Sequence, residues 1–262
     1  MGVLNGKILM FNLKKNNGIK YHFFRGGING DPWDKRLERQ IYNLTIKSWG
    51  DFGRTFINKH VLESEYLLVS FKDADLVGYA SVEVLELSQK KYYYFEFLVV
   101  DPAYQGVGLS KEILKRLLLR VMMENIFNLR LYFNIVTITP NPRVVSLISR
   151  LSDWMCPDVG FYNKNGFLLP ADDAIWELAQ NILQSSHDPS RELDRVGLVL
   201  HNSYRFLRNL IYRKEAVPWD RDRAINSFCA DYLHYEKENG DEFLVFASLS
   251  LKKIINFFVS RS

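Results

Sequence analysis

Cysteine is nearly missing from this chain: Cys156 and Cys229 are the only two in 262 residues. Two thiols make no disulfide framework, which excludes a small stapled secreted domain and favours a reducing compartment. Histidine is sparse as well. His22, His60, His187, His201 and His234 are scattered. None stands at a metal-ligand spacing from a cysteine or another histidine, so no metal is expected. No apolar run approaches the length of a membrane span. No signal-peptide pattern opens the chain, and Gly6 stands where a myristoylation signal needs serine or threonine. These absences lead to the expectation of a cytoplasmic protein. Charge of one sign is also in short supply: the net charge is +4, with a pI near 8.9. That is too little for a dedicated nucleic-acid binder, yet it suits an anionic ligand or an acidic carrier protein.

What is present is apolar residue, 47% of the whole. It is enough for one large domain, or one domain with an extension. Strands are expected at 7–14 and 19–25 around the Asn16-Asn17-Gly18 turn signal. A helix follows over 33–48, with Leu37, Ile41, Leu44 and Trp49 inward. Residues 51–61 suggest a second short helix. Strands are then expected at 66–71, 77–87 and 92–100, with turns too short for crossovers, so the meander is antiparallel. A helix over 111–126 carries the chain to a strand at 130–137, a connection of the kind that makes a parallel pair. Asn141-Pro142 opens a helix reaching about Trp154. Beyond it, helices are expected at 173–184 and 221–236, and strands at 196–201 and 242–250. The apolar, basic segment 251–259 is expected to pack on the domain.

The most informative stretch is Leu98-Val99-Val100-Asp101-Pro102-Ala103-Tyr104-Gln105-Gly106-Val107-Gly108-Leu109-Ser110. An apolar strand runs through a glycine turn into an amphipathic helix. Glycines let backbone amides approach a ligand closely. Amides at a helix start, helped by the helix dipole, attract phosphate oxygens. Gln105, Gly108 and Ser110, with Val100 and Pro102 upstream, resemble the coenzyme A loop of the GNAT superfamily of acyl-CoA-dependent N-acyltransferases. That loop reads Gln/Arg-x-x-Gly-x-Gly/Ala, and Ser110 departs from it by one small residue.

The resemblance covers about residues 65–167 and implies an α/β fold: a central mixed, mostly antiparallel sheet flanked by helices. It divides the chain into a core at 1–167 and an extension at 168–262 that completes the same sheet. It further implies acetyl-CoA, or another acyl-CoA, as co-substrate and a small-molecule or protein amine as acceptor. The backbone of Leu98, Val99 and Val100 would take the pantetheine arm. Gln105, Gly106, Val107, Gly108, Leu109 and Ser110 would take the pyrophosphate, with Asn141 also beside the cofactor.

Direct acyl transfer needs a base for the amine and an acid for the departing thiolate. Glu96 is the only carboxylate within 91–100, flanked by Phe95 and Phe97, a setting that raises a carboxyl pKa. The alternative is a strand glutamate in solvent or paired with Lys91. For the acid, Tyr162-Asn163-Lys164-Asn165-Gly166-Phe167 resembles the family's Tyr-x-Lys-x-Gly-Phe. Counting seven residues from Asn141, the family's usual spacing, instead reaches Ile148. Tyr104 and Tyr94 stand in reserve, and a structural tyrosine is the alternative. A Cys156–His201 nucleophile has nothing in the sequence to bring it together. Three functions stay open: an N-acetyltransferase, an enzyme using longer acyl groups or a carrier protein, and a CoA-binding domain without catalysis.

Overall fold

Runs of β-branched and aromatic residues make strands where a pleated surface can bury them. Tyr66, Leu67, Leu68, Val69 and Phe71 do so here, each at most 4% exposed. The structure is a computed structural model and describes residues 18–28, 34–87, 90–127, 132–186, 192–203 and 214–259. The strand expected at 7–14 and the Asn16-Asn17 turn lie outside those residues. The chain divides into two compact units, residues 1–85 with 93–130, and 86–92 with 131–262. Among the described residues there are nine strands and eight α-helices, so the fold is α/β, as the sequence implies.

The first unit is an antiparallel meander. β1 (Ile19–Arg25) pairs with β2 (Tyr66–Lys72), Ile19 opposite Lys72 and Arg25 opposite Tyr66. β2 pairs with β3 (Asp75–Leu87) through a tight turn in which Asp73 takes a φ of 55°. β4 (Lys90–Val100) lies beside β3. α1 (Asp34–Ser48) presents Leu37, Ile41 and Leu44 at helical spacing, and they join a core with Leu67, Val69, Phe71, Tyr79, Phe97 and Val99. The uncertain stretch 51–61 resolves into α2 (Arg54–Ile57) running straight into one π-helical turn, Asn58–Leu62. After β4 the glycine turn leads into α3 (Leu109–Phe127), with Leu109, Ile113, Leu117, Leu118, Val121 and Met122 buried.

Gly78 on β3 sets how closely α3 can lie. A Cβ there would stand 2.7 Å from Ile113 Cδ1 and 3.1 Å from both Ser70 Oγ and the Val99 carbonyl. A side chain there would force the Ile113 methyl aside and press on Ser70 and the Val99 carbonyl, under the helix that carries the candidate binding turn.

In the second unit β9 (Glu242–Ser250) is the organising strand. It pairs antiparallel with the whole of β5 (Tyr132–Thr139), and also with β6 (Ser152–Cys156) and β8 (Val199–Leu200). β8 in turn pairs with β7 (Leu193–Asp194). Two expectations are corrected here. The helix expected to reach Trp154 is α4 (Pro142–Leu151), because Ser152–Cys156 leaves the helical path to pair with β9. The strand expected at 196–201 shrinks to Val199–Leu200, because Gly197 and Leu198 both take positive φ, 78° and 50°. α5 (Val159–Asn165), α6 (Asp173–Ser186), α7 (Arg223–Leu233) and α8 (Leu251–Val259) complete the unit. α8 packs inward through Ile254, which is fully buried, and Lys253 pairs with Asp153 at 2.8 Å. No described helix is long and apolar enough to cross a membrane.

Candidate acyl-CoA and acid–base site

The backbone of the first unit prepares the glycine turn. Asp101 ends β4, and its N–H donates to the Val77 carbonyl at 3.0 Å. Its carboxylate accepts the Ala103 N–H at 2.9 Å and the Lys47 ammonium at 2.7 Å, which pins the short 3-10 turn Pro102–Tyr104 to α1. These bonds, led by Lys47, hold the Asp101 carboxyl below its ordinary pKa against the opposing effect of partial burial. Gly106 and Gly108 then take φ of 80° and 84°, a region that L side chains rarely adopt. Among the described residues, nothing stands within 4 Å of where either Cβ would be, so they leave the space over the turn open. Gln105, Gly106, Val107, Gly108 and Ser110 are exposed, whereas Leu109 is buried and anchors the helix start. The first-turn Glu112 is occupied by Arg116 at 2.8 Å, and Arg116 lies over the Tyr21 ring at 4.0 Å. Val99 and Val100 are buried and Leu98 half-buried on the strand that leads to the turn.

Glu96 lies two residues before Leu98 on the same strand, and its side chain is 3% exposed. Its surroundings are aromatic. Phe97 packs against Phe52 and Phe56, and Phe56 lies 4.3 Å from the His60 ring. Burial pushes the Glu96 carboxyl up to about 8. Lys91, the partner considered from the sequence, pairs instead with Glu86 at 3.1 Å. The partner Glu96 has is His60, whose Nδ1 is 2.8 Å from Oε1. Oε2 is buried with no hydrogen-bond partner among the described residues. Glu83, on β3, completes the group: His60, Glu83 and Glu96 each bring a nitrogen or oxygen within 4.8 Å of the others. Burial, then the Glu96 charge, raises the Glu83 carboxyl, while burial lowers the His60 imidazole. Sequence reasoning missed His60 and Glu83. They come from a π-helical turn and a neighbouring strand, and no spacing along the chain links them to Glu96.

Tyr162, Asn141, Cys156 and His201 lie in the second unit. Tyr162 is buried on α5, its ring 5.2 Å from Phe228 and 5.9 Å from Tyr232. Its hydroxyl donates to Asp231 Oδ2 on α7, and that bond, ahead of burial, raises it to about 12. Asn141 caps α4, its side-chain oxygen accepting the Arg143 N–H at 2.9 Å. Cys156 and Cys229 are both free thiols, and burial pushes each up to about 12, the reverse of what a nucleophile needs. His201 is engaged with Asp241 at 3.2 Å. Of the two reserve tyrosines, Tyr94 is 1% exposed inside β4 and Tyr104 is half-buried in the 3-10 turn.

Residues 34–152 match the profile of the acetyltransferase (GNAT) family, a little under half of the chain. Comparison with curated proteins finds no match. Among solved structures, Arabidopsis thaliana Naa50 in complex with a bisubstrate analogue is similar at 16% identity and a TM-score of 0.37. The alignment covers 59% of this chain and 85% of that one. The Escherichia coli GNAT N-acetyltransferase YhbS, in complex with CoA, is similar at 16% identity over 52% of this chain and 71% of its own, TM-score 0.36. The Escherichia coli ribosomal-protein-S18-alanine N-acetyltransferase follows at 14% identity, 53% and 76%, TM-score 0.34.

Proposed function

We propose, from the match of residues 34–152 to the acetyltransferase (GNAT) profile, that this chain moves an acetyl group from coenzyme A to a primary amine by direct transfer in a ternary complex. The observation that carries the proposal is the turn at 105–108. Two glycines at positive φ, with open space where their side chains would stand, lead into the first turn of a 19-residue helix. That is a cradle for pyrophosphate oxygens. In this reading Gln105 to Ser110 bind the pyrophosphate, and the backbone of Leu98, Val99 and Val100 holds the pantetheine arm. Asn141 adds its amide group, with its oxygen already committed to the Arg143 N–H. Acetyl-CoA supplies the acyl group as an activated thioester.

Two side chains handle protons. Glu96, held near 8 by its aromatic burial, takes one from the acceptor ammonium, directly or through water. Tyr162 returns one to the sulfur of the departing coenzyme. The acceptor is a small-molecule or protein amine. Two free cysteines, one of them fully buried, fit a cytoplasmic setting.

Calorimetry with acetyl-CoA tests the cradle. A tyrosine at position 108 fills the open space and forces a β-carbon into a left-handed backbone. The Gly108→Tyr chain is expected to retain its circular dichroism spectrum and lose measurable acetyl-CoA binding. Unchanged affinity in that folded variant rules the turn out. Release of free thiol from acetyl-CoA over a panel of amines is the matching test of turnover, and its absence across the panel leaves a CoA-binding domain without catalysis.

A further inference from the structure

We propose that His60, Glu83 and Glu96 form a site for one divalent transition-metal ion of the zinc class. Four observations support it. The three side chains come from separate elements of one unit, the π-helical turn, β3 and β4, and converge until their nitrogen and oxygen atoms lie within 4.8 Å of one another. His60 Nδ1 and Glu96 Oε1 are 2.8 Å apart, a hydrogen-bond distance, so the pair has only to open by roughly half an ångström to bracket a tetrahedral ion bound at about 2.0–2.2 Å. Both of those side chains are 3% exposed. Glu96 Oε2 is buried with no hydrogen-bond partner among the described residues, a condition that protein interiors rarely tolerate. Sharing a proton between His60 and Glu96 would leave that oxygen and the second carboxyl unexplained. A cation satisfies both.

The donor set chooses the metal. One imidazole and two carboxylates suit zinc and its first-row neighbours, while magnesium and calcium prefer oxygen alone. The fourth position falls to water. Glu83 is only half-buried, so solvent reaches the cluster on its side. Lys59 also acts on both carboxyls, but it is exposed and its field is screened by solvent. The π-helical turn that delivers His60 is a local feature often retained for such placement.

The ion would sit on the group assigned above as the base. This consequence rests on the proposed acyltransferase reading: zinc then competes with the acceptor's proton for Glu96 and acts as an inhibitor. The binding experiment needs no substrate. Chelator-stripped protein is titrated with zinc chloride by calorimetry, and with cobalt(II) by visible absorption. One zinc per chain is expected, weakened at least tenfold in Glu83→Gln and in His60→Gln. The cobalt spectrum of the unaltered chain is expected to show the intense d–d bands of a low-coordinate site, and this readout does not depend on any variant folding. No saturable one-to-one binding, equal affinity in both folded variants, or the spectrum of aqueous cobalt alone overturns the site. Zinc binding that stops acetyl-CoA turnover supports both readings. Zinc binding with undiminished turnover supports the metal site and removes Glu96 from the chemistry.

Discussion

A phenol that donates to a carboxylate is held in its neutral form. Both the hydrogen bond and the negative charge of Asp231 oppose ionisation of Tyr162, which is raised to about 12. The sign fixes a pH prediction. If Tyr162 is the acid, it stays protonated over the whole working range, so turnover should show no falling limb below about pH 11. Asp231→Asn removes the charge, and the limb should move down toward the ordinary tyrosine value near 10. Tyr162→Phe keeps the ring and deletes the hydroxyl. It is expected to lower turnover by roughly 10²–10⁴-fold with acetyl-CoA affinity retained. It should also cost about 1 kcal/mol in a thermal melt, because Asp231 is exposed and water replaces its lost partner. A variant with the melting loss but wild-type turnover would show that the hydroxyl only joins α5 to α7.

At the scale of elements, what the sequence reveals is what neighbours along the chain decide. β4, the glycine turn and α3 were readable because an apolar strand, two turn glycines and a 3.6-residue period lie end to end. Ser152–Cys156 was not, because its strand exists only through β9, which arrives from far along the chain. The convergence of His60 and Glu83 on Glu96 was hidden for the same reason: three elements meet through sheet pairing and helix packing, which no local period records. Gly78 belongs to this class too. Its lack of a side chain means little in the sequence and a great deal beneath Ile113. Gly78→Ala should cost roughly 1–3 kcal/mol by overpacking. Because Ile113 sits one turn into α3, acetyl-CoA affinity should fall with stability. Denaturant melts and calorimetry on the same sample check this, and a melt equal to wild type would mean that α3 yields without strain.

At the scale of the whole molecule, we propose that residues 168–262 complete the fold rather than append to it. Phe243, Leu244, Val245 and Phe246 are each 0% exposed, and burial of such a side chain is worth roughly 1.5–3 kcal/mol. A chain truncated after residue 168 keeps β5 but loses the strand that pairs with all eight of its residues. It is expected to be insoluble or to melt without cooperativity, and a monomeric, cooperatively melting 1–168 chain on size-exclusion and calorimetry would refute that proposal. The same pairing sets a clock on biosynthesis. β5 leaves the ribosome roughly a hundred residues ahead of β9. At translation rates of about 5–20 residues per second, it waits on the order of 5–20 s with one edge bare. For that interval the nascent chain presents an open template for other strands. Slow codons or pauses between β5 and β9 should therefore raise its dependence on chaperones, whatever the stability of the finished protein.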